Sequence, residues 1–195
     1  MKVLPMMEVF VDGACEPVNP GGIATYGFVI FRSGERVESG FGTVEKEDTS
    51  NNVAEYTAVI QALKRLLERG IRGEQVVFRS DSELLVNQLN GLYAVRAPRV
   101  VPLYEEAKAL AARLEALGNR LQFFWIPRER NGEADELSKR AYQEYCAAHP
   151  EVVQRYAGYL ATEKQKQFLR RLGVSFSSWI SKREASRLID ERLRK

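Results

Sequence analysis

Three strand-like runs joined by short turns, followed at once by a change to helical periodicity, constrain the fold of this chain more than any other feature. Residues 6–12 (MMEVFVD) read as a strand that ends at Asp12, before Gly13. The loop CEPVNPGG that follows carries two prolines and is firmly non-helical. Residues 26–32 (YGFVIFR) and 37–44 (VESGFGTV) read as two further strands with a short turn at Ser33–Gly34, which together suggest an antiparallel meander. From Asn51 to Arg69 the apolar positions Tyr56, Val59, Ile60, Leu63, Leu66 and Leu67 recur at steps of three and four, the signature of an amphipathic helix. Gly70 closes it in the usual C-terminal position.

The remaining body continues the alternation. Residues 74–81 (EQVVFRSD) form a strand-like run that again ends on an aspartate, and SELLVNQLNG starts a short helix directly after it. AVRAPRVVP reads as a loop, Leu103 to Leu117 as a long amphipathic helix ended by Gly118, and LQFFWIP (121–127) as an aromatic-rich fifth strand stopped by Pro127. Asn131 to Ala148 is the last helix of the body, with Ala134, Leu137, Ala141 and Tyr145 on one face. The order βββαβ(αα)βα implies an α/β fold, a mixed sheet with helices on its faces. AHPE (148–151) is the expected domain edge, dividing residues 1–149 from 150–195. The C-terminal part holds two short amphipathic patterns. One is Thr162–Leu172, stopped by Gly173; the other begins at Ser181, where Glu184 completes a capping-box signature. A small helical pair with Phe176 and Trp179 between them is the expected arrangement.

Composition separates the two parts. From Leu160 to Lys195 there are ten Lys/Arg and four Asp/Glu, a net of +6, while residues 1–159 carry a net of −3. Such asymmetry suits an acidic site on the body and a basic segment that favours a polyanion, although a solvated helical surface would look the same. At 45% hydrophobic and 28% charged the chain reads as an ordinary globular protein with a sizeable core. The two cysteines, Cys15 and Cys146, have no metal-ligand spacing and read as free thiols of a reducing compartment. The start MKVLPMMEVFVDG is a poor signal peptide, and no run approaches a membrane span. These readings point to a cytoplasmic protein.

The chemistry rests on where acids sit. Asp12 and Asp81 close two strands, at the rim where ligands bind to α/β sheets. Glu55 lies one turn into the first helix and Asp135 in the first turn of the last body helix. Singly, each has a plain structural explanation: a turn at Asp12, an N-cap at Asp81, a solvated Glu55, a helix-dipole partner at Asp135. Jointly, if the first and fourth strands are neighbours, the four converge. Carboxylates gathered without cations repel one another, and a hard divalent ion such as Mg²⁺ relieves that strain. Two such ions about 3.5–4 Å apart activate a water and stabilise the leaving oxygen of a phosphodiester.

These residues lie in four blocks: VDGACEPVNPGGIATYGFVI, TSNNVAEYTAVIQAL, FRSDSELLVNQLNG and WIPRERNGEADELSKRA. In their order and spacing they resemble the signature blocks of the type 1 ribonuclease H family, over roughly residues 6–146. The resemblance implies a ribonuclease H-like fold, with a five-stranded mixed sheet flanked by helices over residues 1–149 and a small basic helical C-terminal extension over 150–195. It implies an endonuclease that hydrolyses the RNA strand of RNA–DNA hybrids and leaves 5′-phosphate and 3′-hydroxyl ends. Asp12, Glu55, Asp81 and Asp135 match the metal-binding acids, for two Mg²⁺ with Mn²⁺ as a substitute. Gly13, Asn19, Ser50, Asn51, Asn52 and Asn87 match or neighbour substrate-contacting positions; Ser50 stands where a hydroxyl binds a DNA-strand phosphate. Helix capping is the structural alternative for Asn51 and Asn52.

Three departures from the family pattern carry consequences. Many bacterial members have a histidine in the loop before the last aspartate; here the single histidine is His149, beyond it. Arg128, seven residues before Asp135, stands where archaeal-type members use arginine, with Arg130 as competitor. Glu83 and Asn87 replace glutamines that contact the hybrid in some members. The basic protrusion of other members is missing between Asn90 and Glu105, so the basic C-terminal segment is a candidate source of hybrid affinity. Double-stranded RNA is a second candidate substrate; no membrane and no organic cofactor are implied. The rival readings are a strand-transfer enzyme of the same fold and a hybrid- or double-stranded-RNA-binding module without catalysis.

Overall fold

A computed structural model of the chain describes residues 6–45 and 48–194. The signal-peptide reading falls partly on residues 1–5, which lie outside the described residues, as do 46, 47 and 195.

Alternating burial along the first half of the first strand follows from its two-residue period, while the second strand is buried on both faces. β1 (Met6–Glu16), β2 (Ile23–Arg32) and β3 (Glu35–Thr43) form the expected antiparallel meander, with Ser33 and Gly34 at positive φ in the tight turn. β4 (Gln75–Ser80) pairs parallel with β1, and β5 (Arg120–Trp125) pairs parallel with β4, giving a mixed sheet of order β3-β2-β1-β4-β5. The expected neighbourhood of the first and fourth strands is therefore observed.

One boundary differs in an instructive way. The first strand does not stop at Asp12 but runs on to Glu16, because β2 pairs with it as far as Glu16↔Ile23. β4 leaves β1 much earlier, at the pair Phe10↔Arg79. Asp12 thus lies inside a strand, at the point where the sheet divides and one edge of β1 is released.

α1 (Asn51–Glu68) buries Val53, Tyr56, Val59, Ile60, Leu63 and Leu66 against Met7, Val9, Val11, Phe28 and Ile30 of the sheet. Ser50, not Asn51 or Asn52, is its N-cap: the Ser50 hydroxyl accepts from the Val53 N–H at 3.3 Å. α2 (Glu83–Leu89) follows β4 directly, and α3 (Val101–Ala116) extends the same layer through Leu103, Leu110 and Leu114. α3 starts two residues before the expected Leu103, since Pro102 is well suited to a first helical turn. α4 (Gly132–Ala148) covers the opposite face, over β1, β2 and β3.

The C-terminal segment adds α5 (Pro150–Arg155), α6 (Glu163–Arg171) and α7 (Lys182–Leu193). α6 and α7 share a small cluster of Ala161, Leu169, Ile180 and Ala185, backed by Phe176. The capping box occurs at α6, where Thr162 and Gln165 exchange bonds, and not at α7. Ser181 still caps α7, but the Glu184 carboxylate is drawn away to Arg187 at 2.6 Å, an ion pair that competes with the backbone N–H. Trp179 faces the body instead of filling the space between the two helices. It joins Ile23, Tyr142, Cys146, Val152, Val153 and Tyr156 in a cluster at the end of the β1–β2 hairpin. The Tyr142 hydroxyl donates to the Trp179 carbonyl at 3.1 Å, and the Tyr156 hydroxyl to the Gly21 carbonyl at 2.9 Å. Both cysteines are buried and unbridged. Among the described residues no helix is long and apolar enough to cross a membrane.

Candidate active site

Two glycines on the hairpin let helices approach the sheet from both sides. A Cβ at Gly13 would overlap the backbone nitrogen of Glu55 and the carbonyl carbon of Ala54, so only glycine allows α1 to sit this close to β1. The approach carries Glu55 to the point where the sheet divides. On the other face, a Cβ at Gly27 would lie 2.6 Å from the Ala134 carbonyl and 2.7 Å from the Ser138 nitrogen. There the first turns of α4, with Asp135 and Ser138, press on β2 opposite Asp12.

Each acid reaches the gap from a different element and is held by its own donor. The Ser138 hydroxyl donates to Asp12 Oδ2. The Ser82 hydroxyl, which also caps α2, donates to Glu55 Oε2 at 2.7 Å. Asn131 Nδ2 donates to Asp81 Oδ1 at 2.7 Å and to the Val11 carbonyl at 2.9 Å, tying the end of β4 to β1. Arg128 Nη2 donates to Asp135 Oδ1 at 3.1 Å, and Lys139 pairs with the other oxygen. Ser82 therefore takes the N-cap role open to Asp81 from sequence, and frees that carboxylate.

The electrostatics show a cluster that is short of positive charge. Burial pushes the Asp12 carboxyl up to about 6, aided by the Asp81 and Asp135 charges and opposed by Ser138 and Arg128. Burial pushes Glu55 up to about 8, with Asp12 and Asp81 adding to it and Ser82 opposing. Burial works against the Arg128 guanidinium, but Asp135, Asp12 and Asp81 outweigh it and push its pKa further up. All four carboxylates thus act within one electrostatic neighbourhood.

Among the described residues no three of these groups are arranged to ligate a single ion, and one oxygen each of Asp12, Glu55 and Asp81 is taken by a protein donor. The donor chemistry nonetheless fits a hard divalent cation: an all-oxygen set, mutually repelling, with two members held away from their ionised form. Binding would exchange the Ser138, Ser82 and Asn131 bonds for metal–oxygen ones by rotation of the acid side chains.

The other candidates fall in two groups. Asn19 Oδ1 accepts from the Asn51 N–H at 3.0 Å, and Asn51 Oδ1 accepts from the Cys15 N–H at 2.7 Å. These bonds fasten the CEPVNPGG loop to the start of α1, beside Ser50 and the half-buried Asn52. Asn87 sits half-buried on α2, where its carbonyl receives the Leu92 and Tyr93 N–H groups; Glu83 is exposed in the first turn. Arg130 turns to a surface depression lined by Glu8, Phe10 and Phe31, which leaves Arg128 beside the acids. His149 stacks on Tyr145 with ring centroids 4.2 Å apart at the far end of α4. That is about 20 Å from Asp135 along the helix axis.

Sequence reasoning missed Asn131, Ser138 and Ser82 as holders of the acids. The available signals were a short polar residue next to a helix start and a serine one turn after Asp135. Asn131→Ala removes the tether of Asp81 and leaves the buried Val11 carbonyl unsatisfied. We expect a loss of about 1–3 kcal/mol in stability and about 10–100-fold in kcat with KM little changed. Denaturant melts and steady-state kinetics read the two, and an unchanged kcat would show that Asp81 needs no such support.

Comparison with known proteins gives a consistent picture. Residues 10–141 match the family described as reverse transcriptase-like. A ribonuclease H of Geotalea uraniireducens is 32% identical over 155 residues, covering 74% of this chain and 99% of that protein. A bifunctional protein of Mycobacterium tuberculosis is 33% identical over 123 residues, 63% of this chain. The matched stretch spans only about a third of that relative, 32% of its length. Among solved structures, LC11-RNase H1 in complex with an RNA/DNA hybrid superposes with a TM-score of 0.65 at 32% identity, covering 71% of this chain and 98% of that one.

Proposed function

Because the chain belongs to the ribonuclease H family, we propose that it is a metal-dependent endonuclease that hydrolyses the RNA strand of RNA–DNA hybrids. The observation that carries this reading is the gathering of Asp12, Glu55, Asp81 and Asp135 where β1 and β4 part, each delivered by a separate element. Such a cluster is costly to a fold and has no structural purpose that one acid would not serve.

Asp12, Glu55, Asp81 and Asp135 would hold two Mg²⁺, or Mn²⁺ in their place, which supply an activated water and neutralise charge at the leaving oxygen. The chain's own residues do the positioning. Asp12 is fixed within a strand and Asp81 immediately after one, so both acids are rigid to the extent that the sheet is. Arg128 is more than half exposed while paired to Asp135, so its free guanidinium edge is available to a backbone phosphate. The Asn19–Asn51 link sets the loop and the helix start at one wall of the site, where Ser50, Asn51 and Asn52 offer hydroxyl and amide groups to the strands. Groups of this kind tell RNA from DNA by hydrogen-bonding the 2′-hydroxyl. Water is added across the P–O3′ bond, which leaves a 3′-hydroxyl and a 5′-phosphate.

A hybrid labelled on each strand in turn tests the proposal. Mg²⁺ is expected to give RNA-strand cutting with the DNA strand intact, chelation to abolish it, and restored metal to recover it. Duplex DNA should stay whole, and double-stranded RNA serves as a parallel arm. Tight hybrid binding with no cleavage in Mg²⁺ or Mn²⁺ would overturn the reading in favour of a binding module.

A further inference from the structure

The C-terminal helices carry exposed cations that have no carboxylate partner. Arg187 is neutralised by Glu184 and Glu191, and Lys166 by Glu163. Lys164, Arg170, Arg171, Lys182, Arg183, Arg192 and Arg194 are exposed, and among the described residues none has a carboxylate within ion-pair distance. Lys182 Nζ donates to the Gly158 carbonyl at 2.5 Å and Arg170 lies over the Phe176 ring.

Their placement is informative. Gln165 Nε2 donates to the Lys182 carbonyl and to the Ser186 hydroxyl, both at 3.1 Å, so the first turns of α6 and α7 lie side by side. Lys164, Lys182 and Arg183 belong to those two turns. The same turns face the end of β1. Trp179, two residues before Ser181, packs on Ile23, the β2 partner of Glu16, and its carbonyl accepts from the hydroxyl of Tyr142, two turns beyond Asp135 on α4. Burial pushes the Glu16 carboxyl up, while Ser181, Arg183 and Arg128 work in the opposite sense. Glu184 is held low by Arg187 and then by Lys139 and Arg128. Arg128 and Lys139 are the two cations that pair with Asp135. Arg128, Lys139 and Arg183 therefore lie toward the same end of the body, with the carboxylates of Glu16 and Glu184 among them.

We propose that Lys164, Lys182 and Arg183 form a second phosphate-binding surface, which grips the backbone of the substrate duplex beside the cleavage site. The occupant is a nucleic-acid duplex and not an acidic protein, because the start of α7 stands at the same end of the body as a site that would itself receive a phosphodiester. The rest of the chain, net −3 over residues 1–159, repels a polyanion, so affinity has to come from a local source. This inference rests on the proposed function for the identity of the duplex.

The test compares the full chain with its Lys164→Gln/Lys182→Gln/Arg183→Gln variant, and with Arg170→Gln/Arg171→Gln as a control that removes charge elsewhere on the same helices. All five positions are exposed, and matching thermal melts verify that the fold is kept. With a hybrid of about 24 base pairs, the triple variant is expected to raise KM about tenfold near 0.1 M salt and leave kcat unchanged, and the slope of log affinity against log salt should fall by about 2–3. Fluorescence anisotropy of the same duplex in chelator reads binding without cleavage. Weaker binding by the triple variant alone supports the surface even if the wild type cuts nothing, an outcome that would refute only the nuclease reading. An unchanged dissociation constant and salt slope, or an equal loss in the control, would overturn it.

Discussion

Glu55→Gln is expected to abolish cleavage and, in the same molecule, to make the fold more stable at alkaline pH. The loss of activity should reach at least about 10³-fold, because one of the four acids proposed to hold the metal ions becomes a neutral amide. The gain in stability follows from linkage. Burial, with Asp12 and Asp81 beside it, raises Glu55 from an ordinary 4.5 to about 8 in the folded protein. The unfolded chain gives up this proton near pH 4.5, while the folded chain holds it to about pH 8. Folded stability therefore falls as pH rises between these values, and the full penalty stands above the upper one. Glutamine carries no such penalty and still offers Ser82 an oxygen to donate to. In chelator at pH 9 the variant should exceed the wild type by on the order of 2–3 kcal/mol, allowing for residual solvent. At pH 4 the two should melt together. A parallel pair of pH profiles would argue against a desolvated Glu55, and cleavage within tenfold of wild type would remove it from the site. Excess Mg²⁺ should narrow the gap at pH 9, since an ion that binds the native acids stabilises only the wild type appreciably.

Gly13→Ala is expected to be among the most damaging single methyl groups that the hairpin can receive. Its Cβ would fall on the backbone of Ala54 and Glu55, which no side-chain rotation can relieve. β1 and α1 must separate, yet Val53, Ala54, Tyr56 and Val59 on that face are fully buried against the sheet. Overpacking of this kind costs about 3 kcal/mol, which for a chain of this size lowers Tm by about 6–12 °C. The same separation moves Glu55 away from Asp12 and Asp81. A displacement of about 1 Å at a reacting centre costs about 10²-fold in rate, so kcat should fall by that order. A variant within 2–3 °C of wild type and within threefold in kcat would show that α1 shifts freely, and that Gly13 has no part in seating the acid. Gly13 was marked from sequence as a substrate contact; its geometry gives it first the task of close backbone approach.

Much of the architecture was legible in the one-dimensional pattern. The β-branched and aromatic run of residues 26–32, closed by a turn at Ser33–Gly34, and the steps of three and four over 51–69 are local signals, so β2 and α1 can be read from neighbouring residues alone. The same holds for Gly70 and Gly118, which end helices at positive φ. Three of the four acids were legible from real regularities, since Asp81 follows a strand end and Glu55 and Asp135 fall in early helical turns; Asp12 was picked out by a strand end that the structure puts four residues further on.

What only the tertiary structure decided depends on partners remote in sequence. Asp12 lies within β1 because β2 keeps pairing with that strand after β4 has left it, a matter of register between strands. Ser138 holds Asp12 across 126 positions, and Asn131 holds Asp81 across 50. No local periodicity encodes such pairs, since any serine or asparagine near a helix start looks like a cap. The C-terminal segment shows the same division. Its helices and its charge were readable, but whether it hung apart or lay on the body was settled by Trp179, Tyr156 and Tyr142 meeting at the hairpin end. Apolar side chains specify that they will be buried; the shape of the surface available to them determines where.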